Sequence, residues 1–404
     1  MRQCLTSSSG GYYTTDRDPF GRRGDFITSP EISQMFGEMV GIWIVAEWMA
    51  QGGKEDGVQL VELGPGRGTL MDDVLRTLGS FKPLSSAVET VYLVEASPPL
   101  REAQRKLLCG PESVFEPIEN GDKCTSKYGH PIIWYEDFRF VPSSSTTIPF
   151  ILAHEFFDAL PIHAFTSTSS GWRELLVSHN PPTTTHLDLH TPRSQVLGAP
   201  VPEFSLTTAT APTPYSAILP ELSERYKALK KHAGSTIEIS PEALTLVESI
   251  ALRIGRSRSG AALIIDYGPA DTIPVNSLRG IRAHRTVSPF LAPGEVDISA
   301  DVDFMALAER ALKTSDAVEV HGPVEQGAFL GMLGMKERME VLVGALEREG
   351  GGAETDKKKK VVESGYRRLV ERSGGAMGKV YKAMAVVPEG GGRRPVGFGG
   401  GVVE

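Results

Sequence analysis

Acidic residues stand in or just beyond several short apolar runs of this 404-residue sequence, and their placement is the first sign of chemistry. Glu62 is the one charge in Val58-Gln59-Leu60-Val61-Glu62-Leu63, and Glu95 closes Thr90-Val91-Tyr92-Leu93-Val94. Glu155 and Asp158 follow Ile148-Pro149-Phe150-Ile151-Leu152-Ala153, and Asp266 ends the run from Gly260 to Ile265. Continuous apolar runs of this length read as strands buried on both faces of a parallel sheet. In such sheets the carboxyl ends of the strands border one crevice, so these acids are expected to share a site that attracts positive charge.

The first run leads into Gly64-Pro65-Gly66-Arg67-Gly68-Thr69, after which Leu70, Val74, Leu75 and Leu78 keep helical spacing. Glycine suits such a turn because φ can be positive and, without a Cβ, the backbone can lie against a ligand at the helix N-terminus. A dinucleotide fingerprint would read G-x-G-x-x-G; Thr69 occupies the place of its third glycine, and the fit to nicotinamide is poor.

The pattern E-x-G-x-G-x-G, from Glu62 through Gly64 and Gly66 to Gly68, resembles motif I of class I S-adenosylmethionine (SAM) methyltransferases. SAM presents a cationic amino-acid end, a sulfonium and an adenosine, with no pyrophosphate, so Glu62 beside the turn suits it better than it would suit a phosphate. Glu95 lies a helix and a turn further on, where a doubly wound fold places the carboxylate that accepts ribose hydroxyls. Asp137, just past the run Pro131-Ile132-Ile133-Trp134-Tyr135, stands where many SAM enzymes bind the adenine amino group; a solvated turn acid is the alternative. His154 and Asp158 could share a helix face as metal ligands, but they follow a strand, Pro161 cuts any helix short, and no third ligand is apparent. No metal is expected, and Glu155 and Asp158 are left to carry chemistry, to bind a cation, or to cap the next helix.

Composition sets outer limits. Apolar residues make up 40% and charged residues 23%, ordinary values for a globular chain, and a net charge of −8 argues against a nucleic-acid partner held by its phosphates. Cys4, Cys109 and Cys124 have neither the count nor the spacing of a disulfide framework or zinc site. The most apolar helix candidate, Met35 to Met49, contains Glu38 and Glu47 and is too short to span a bilayer, so no membrane insertion is expected. The first residues leave no room for an Arg/Ser-rich presequence, and the chain is expected to lack its true start.

The periodicities place a loop and cover helix in residues 1–56, the helix starting at Ser29-Pro30-Glu31, and the cofactor-binding half of a doubly wound α/β domain in 57–163. An inserted α+β lid or partner surface is expected over 164–235, with a hairpin of Trp172–Val177 and Thr185–His190 and a loose stretch at 191–216. Residues 236–348 complete the domain. A charged linker at 349–360, containing Lys357 to Lys360, precedes a last helix or strand within 349–388, the strand at Tyr381–Val387, and residues 389–404 read as a disordered tail.

Over nearly its whole length the sequence is similar to the MidA-like mitochondrial protein arginine methyltransferases, assembly factors of respiratory complex I. The resemblance rests on ordered blocks: Ser9–Tyr13, Gly24–Glu38, Val61–Met71, Leu93–Pro98, Ala153–Pro161, Ala292–Asp297 and Ala300–Phe304. It implies a SAM-dependent enzyme of the mitochondrial matrix that forms symmetric dimethylarginine on a complex I subunit. By position Glu155 and Asp158 would clamp the acceptor guanidinium. The implied partner is a protein substrate, with self-association into a homodimer left open; residues 191–216 and the tail match nothing in the resemblance.

Overall fold

The structure, a computed structural model, describes residues 1–399 apart from 16–20, 22–23, 181–202, 349 and 351. Its strands in chain order are β1 (Val58–Leu63), β2 (Val88–Val94), β3 (Glu116–Ile118), β4 (Gly121–Thr125), β5 (Pro131–Tyr135), β6 (Ile148–His154), β7 (His163–Thr168) and β8 (Gly171–His179). They continue with β9 (Phe204–Thr208), β10 (Thr236–Ile239), β11 (Ala261–Tyr267), β12 (Arg279–Arg282), β13 (Arg285–Val287), β14 (Asp297–Ser299), β15 (Val318–Glu325) and β16 (Tyr381–Pro388). A nine-stranded sheet runs β15-β16-β11-β6-β1-β2-β5-β4-β3, parallel from β11 to β5 with antiparallel strands at both edges.

The chain moves outward from β1 through β2 to β5, then restarts on the other side of β1 with β6 and β11. That reversal between β1 and β6 opens a crevice at the carboxyl ends of the strands. Leu63 pairs with Val94 on one side and Ala153 on the other. The register therefore sets Gly64, Glu95 and His154 at one level, at the mouth of the crevice.

Helices cover both faces of the sheet. The helix Gln34–Ala50 starts where Ser33 Oγ accepts the Met35 amide, and it is buried almost all round, as its nearly continuous apolar sequence requires. Gly37 and Gly41 let it lie backbone-close on the helix Thr69–Leu78: a Cβ at Gly37 would stand 2.4 Å from Asp73 Cβ, and one at Gly41 3.0 Å from Thr77 Cβ. Phe36, Trp43 and Leu75 build the core on this face; Val247, Ile250 and Phe304, from the helices Pro241–Ser257 and Phe304–Thr314, build it on the other.

The main strands stand where the apolar runs put them, but three expectations change. β8 pairs with β7 and with β9, which falls inside the stretch expected to be loose; its alternation of Phe204 and Leu206 with Ser205 and Thr207 is obscured in sequence by the neighbouring Pro and Thr. The expected partner Thr185–His190 lies outside the described residues. The supposed linker contains most of the first turns of a helix, Ala353–Val370: Glu354 and Asp356 in its first turn and Arg367 and Arg368 in its last complement the helix dipole, and Gly365 and Leu369 face inward. Finally, the described part of the tail is docked rather than disordered. Arg393 reaches the fully buried Glu47 at 2.6 Å, and Phe398 packs on Phe329 with ring centroids 5.4 Å apart. A buried carboxylate needs a cation, and sequence periodicity does not report where that cation comes from.

Candidate active site

The glycine turn is built on left-handed backbone. Gly64, Gly66 and Gly68 have φ of 62°, 55° and 84°, and a Cβ on Gly64 would stand 2.5 Å from the Phe156 ring. The Gly64 amide donates to Val94 O at 3.0 Å, closing the turn onto β2. Gln104, on the helix Pro98–Cys109, connects the turn to the next acid: its Nε2 donates to Gly66 O at 2.7 Å and to Glu95 Oε2 at 3.2 Å, while Trp134 Nε1 donates to its Oε1 at 2.9 Å. Glu95 Oε1 accepts the Ser97 amide at 2.9 Å.

Among the described residues Glu62 Oε2 is buried with no hydrogen-bond partner, and burial, reinforced by the Glu95 charge, pushes the Glu62 carboxyl up to about 8. Burial likewise raises Glu95 to about 7, against the pull of the Ser97 amide, Gln104 and Arg101.

The acceptor side hangs on Asp266, fully buried at the end of β11. Its Oδ2 accepts the amides of Phe156 at 3.1 Å, Phe157 at 2.9 Å and Asp158 at 3.3 Å, so one carboxylate shapes the whole turn after β6. Within that turn Glu155 holds φ at 50°, a left-handed conformation that costs a non-glycine residue about 1 kcal/mol and is typical of functional turns. Glu155 Oε1 accepts the Ser29 amide at 3.4 Å, and the Tyr381 hydroxyl bonds its carboxyl. Burial and then the Asp158 charge raise Glu155 to about 8. Beside it, burial drives His154 down to about 3, so at neutral pH the two side chains, 3.3 Å apart, meet as neutral groups rather than as an ion pair. The Tyr267 hydroxyl donates to Asp158 Oδ2, Arg279 lies over the Tyr267 ring at 4.5 Å, and Asp158 Oδ1 has no hydrogen-bond partner among the described residues.

A cavity of about 420 Å³ joins these parts. Glu62, Gly64, Gly66, Glu95, Asp137 and Glu155 line it; Gly68 stands behind the turn as N-cap of the helix Thr69–Leu78, and Asp158 lies beneath the wall with 8% of its surface exposed. Asp137 reaches the cavity with its carboxylate already held by Arg139, at 2.8 and 2.9 Å. Residues that the sequence reading passed over complete the site. Gln104 is an uncharged helical residue with no motif around it, and Tyr13, Tyr267 and Tyr381 lie far from the glycine turn in sequence. Tyr13, which lines the cavity, donates to Asp297 at 2.9 Å, and the sequence signals it only through the block Ser9–Tyr13 of the family resemblance.

The site fits SAM on its own chemistry. The cradle at Gly64 is one that a Cβ would fill, and Glu62, one of whose carboxylate oxygens has no hydrogen-bond partner among the described residues, lines a cavity in which a cationic amino-acid end would find its counter-charge. A sheet reversing at β1, with acids at the ends of adjacent strands and a glycine turn between, defines a SAM-dependent methyltransferase. Residues 39–324 match the S-adenosyl-L-methionine-dependent methyltransferase family. The chain is 37% identical to the protein arginine methyltransferase NDUFAF7, mitochondrial, of Xenopus tropicalis, over 96% of its own length and 81% of the relative's. To the human protein of that name it is 39% identical, over 85% of this chain and 70% of the relative. A Burkholderia thailandensis protein crystallised with S-adenosyl-homocysteine shares the fold, with a TM-score of 0.68 and 20% identity over 99% of this chain and 87% of that one. The chain thus belongs to the family of SAM-dependent mitochondrial protein arginine methyltransferases.

Proposed function

We propose that this protein, in the mitochondrial matrix, methylates an arginine of a respiratory complex I subunit to symmetric dimethylarginine and so serves assembly of the complex. The subunit and the assembly role rest on the family resemblance. The observation that carries the acceptor chemistry is Glu155: a largely enclosed carboxylate, 12% of its side chain exposed, in strained backbone in the wall of the cofactor cavity, with a second carboxylate, Asp158, close enough to raise its pKa. A guanidinium relieves that repulsion and replaces the lost hydration of both groups, which makes the turn selective for a planar cation.

SAM, when bound, supplies a methyl carbon open to in-line displacement from its sulfonium. Glu62 and the Gly64–Gly68 turn would hold its cationic end, and Glu95 would hold its ribose. Glu155 contacts the guanidinium and turns one nitrogen toward the cavity floor, while Asp158, fixed by Tyr267, completes the negative field from beneath. The acceptor nitrogen must give up a proton on taking the methyl group, and Glu155, once the guanidinium it contacts has favoured its ionised form, would be placed to accept it. Positioning contributes most of the acceleration.

The test is mass spectrometry of complex I subunits incubated with SAM and the full chain. The native protein is expected to add two methyl groups to one arginine. Glu155→Gln and Asp158→Asn are expected to bind SAM almost as tightly and to transfer none. Normal turnover in either variant would remove that residue from the mechanism, and bound SAM with no methylated subunit for the native chain would favour a non-catalytic assembly factor.

A further inference from the structure

The lysine run of the sequence lies on the helix Ala353–Val370, and that helix forms one wall of a second cavity of about 810 Å³. Lys357, Lys360, Ser364 and Arg368 line it at spacings of three and four, a single stripe of the helix. The opposite wall carries Ile32, Glu31 and Arg67. Gly365 lets the two walls approach: a Cβ there would stand 3.2 Å from Ser33 Cβ.

The charges facing this groove do not balance. Glu31 is occupied by Arg67 at 2.8 Å, which leaves Asp356 as the one acid among the described lining residues against Lys357, Lys360 and Arg368. On other faces of the same helix Lys359 pairs with Glu347 at 2.7 Å and Arg367 with Glu363 at 3.4 Å, while Lys358 has no ion pair among the described residues. Among the described residues no ion pair engages Lys357, Lys360 or Arg368. A chain of net charge −8 thus keeps a positive track here.

The track leads to the active site. Glu31 and Arg67 line both cavities, Arg67 belongs to the glycine turn, and Glu31 sits in the helix Ser29–Ile32, whose first amide donates to Glu155. We propose that an acidic stretch of the acceptor protein, next in sequence to its target arginine, docks along Lys357, Lys360 and Arg368. The proposal rests on the reading that the acceptor is a protein arginine. The stripe spans about 16 Å along the helix, the reach of about five extended residues.

The probes are two fluorescein-labelled 13-residue peptides with one central arginine, flanked on both sides by glutamate or by glutamine, titrated against the full chain by anisotropy. The glutamate peptide is expected to bind roughly tenfold more tightly, with the difference shrinking in high salt. The triple variant Lys357→Glu, Lys360→Glu, Arg368→Glu, all on an exposed stripe, should lose that preference and keep native SAM affinity and thermal stability. Equal binding of both peptides by the native chain, or an unchanged preference in the triple variant, overturns the docking track. A glutamate peptide that binds through the stripe but is never methylated speaks against arginine transfer and leaves the track standing.

Discussion

Glu62 gives the sharpest test of the cofactor site. Burial moves its carboxyl from 4.5 to about 8, a separation of about 3.5 units, which corresponds to about 5 kcal/mol by which the ionised form is disfavoured in the empty fold. Because the folded pKa lies above the unfolded one, the contribution of Glu62 to stability is greatest below pH 4.5, declines as pH rises, and is lost above about 8. A cationic ligand reverses the preference, so binding at pH 6 to 8 releases a proton and strengthens with pH. The limiting slope is about tenfold in Kd per pH unit below the free pKa, which comes to about fiftyfold from pH 6 to pH 8 because the carboxyl is half ionised at its pKa. Glu62→Gln removes the titration. It should melt at a higher temperature than the native chain at pH 8, bind SAM more weakly by about 2 kcal/mol for the lost charge-assisted bond, and bind with a shallower pH dependence. Calorimetry in two buffers of different ionisation enthalpy reads the proton release directly. If native SAM affinity does not change between pH 6 and 8, or Glu62→Gln keeps the native slope, Glu62 is not the counter-charge.

Other consequences are simpler to read. Gly64→Ala drives a Cβ into Phe156 at a φ of 62°, and the expected result is loss of SAM binding with the far-ultraviolet dichroism unchanged. Gln104→Leu removes the donor shared by Gly66 O and Glu95 and should weaken SAM by roughly tenfold in titration, with little effect on kcat once SAM is saturating. Arg393→Ala leaves Glu47 charged and fully buried; unfolding should cost up to about 3 kcal/mol less, seen as a lower Tm at pH 7, and a Tm equal to native would mean that the tail contributes nothing.

Much of this architecture is local and therefore legible. Glu62, the three glycines, Glu95 and Glu155 each belong to a strand end, and period, glycine spacing and strand length place strand ends without any knowledge of packing. The first turns of the helix Ala353–Val370 read as linker because its inward face offers only Gly365 and Leu369 as fully buried positions, too weak an apolar stripe to stand out from four consecutive lysines. β9 was hidden because an edge strand of a small antiparallel sheet buries too little of either face to show a strong alternation.

The sequence by itself determined the order of strands and helices, the glycine cradle and the identity of the acids, because those follow from backbone freedom and from the two periods of buried surface. Tertiary structure decided what those acids became. Gln104 couples the cradle to Glu95 across a helix, Asp266 shapes the turn of Glu155 from the neighbouring strand, and Tyr267 holds Asp158 just beneath the cavity instead of in its wall. Each is a contact between residues distant in sequence, and the electrostatic state of a carboxylate is set by which groups surround it once water has been excluded.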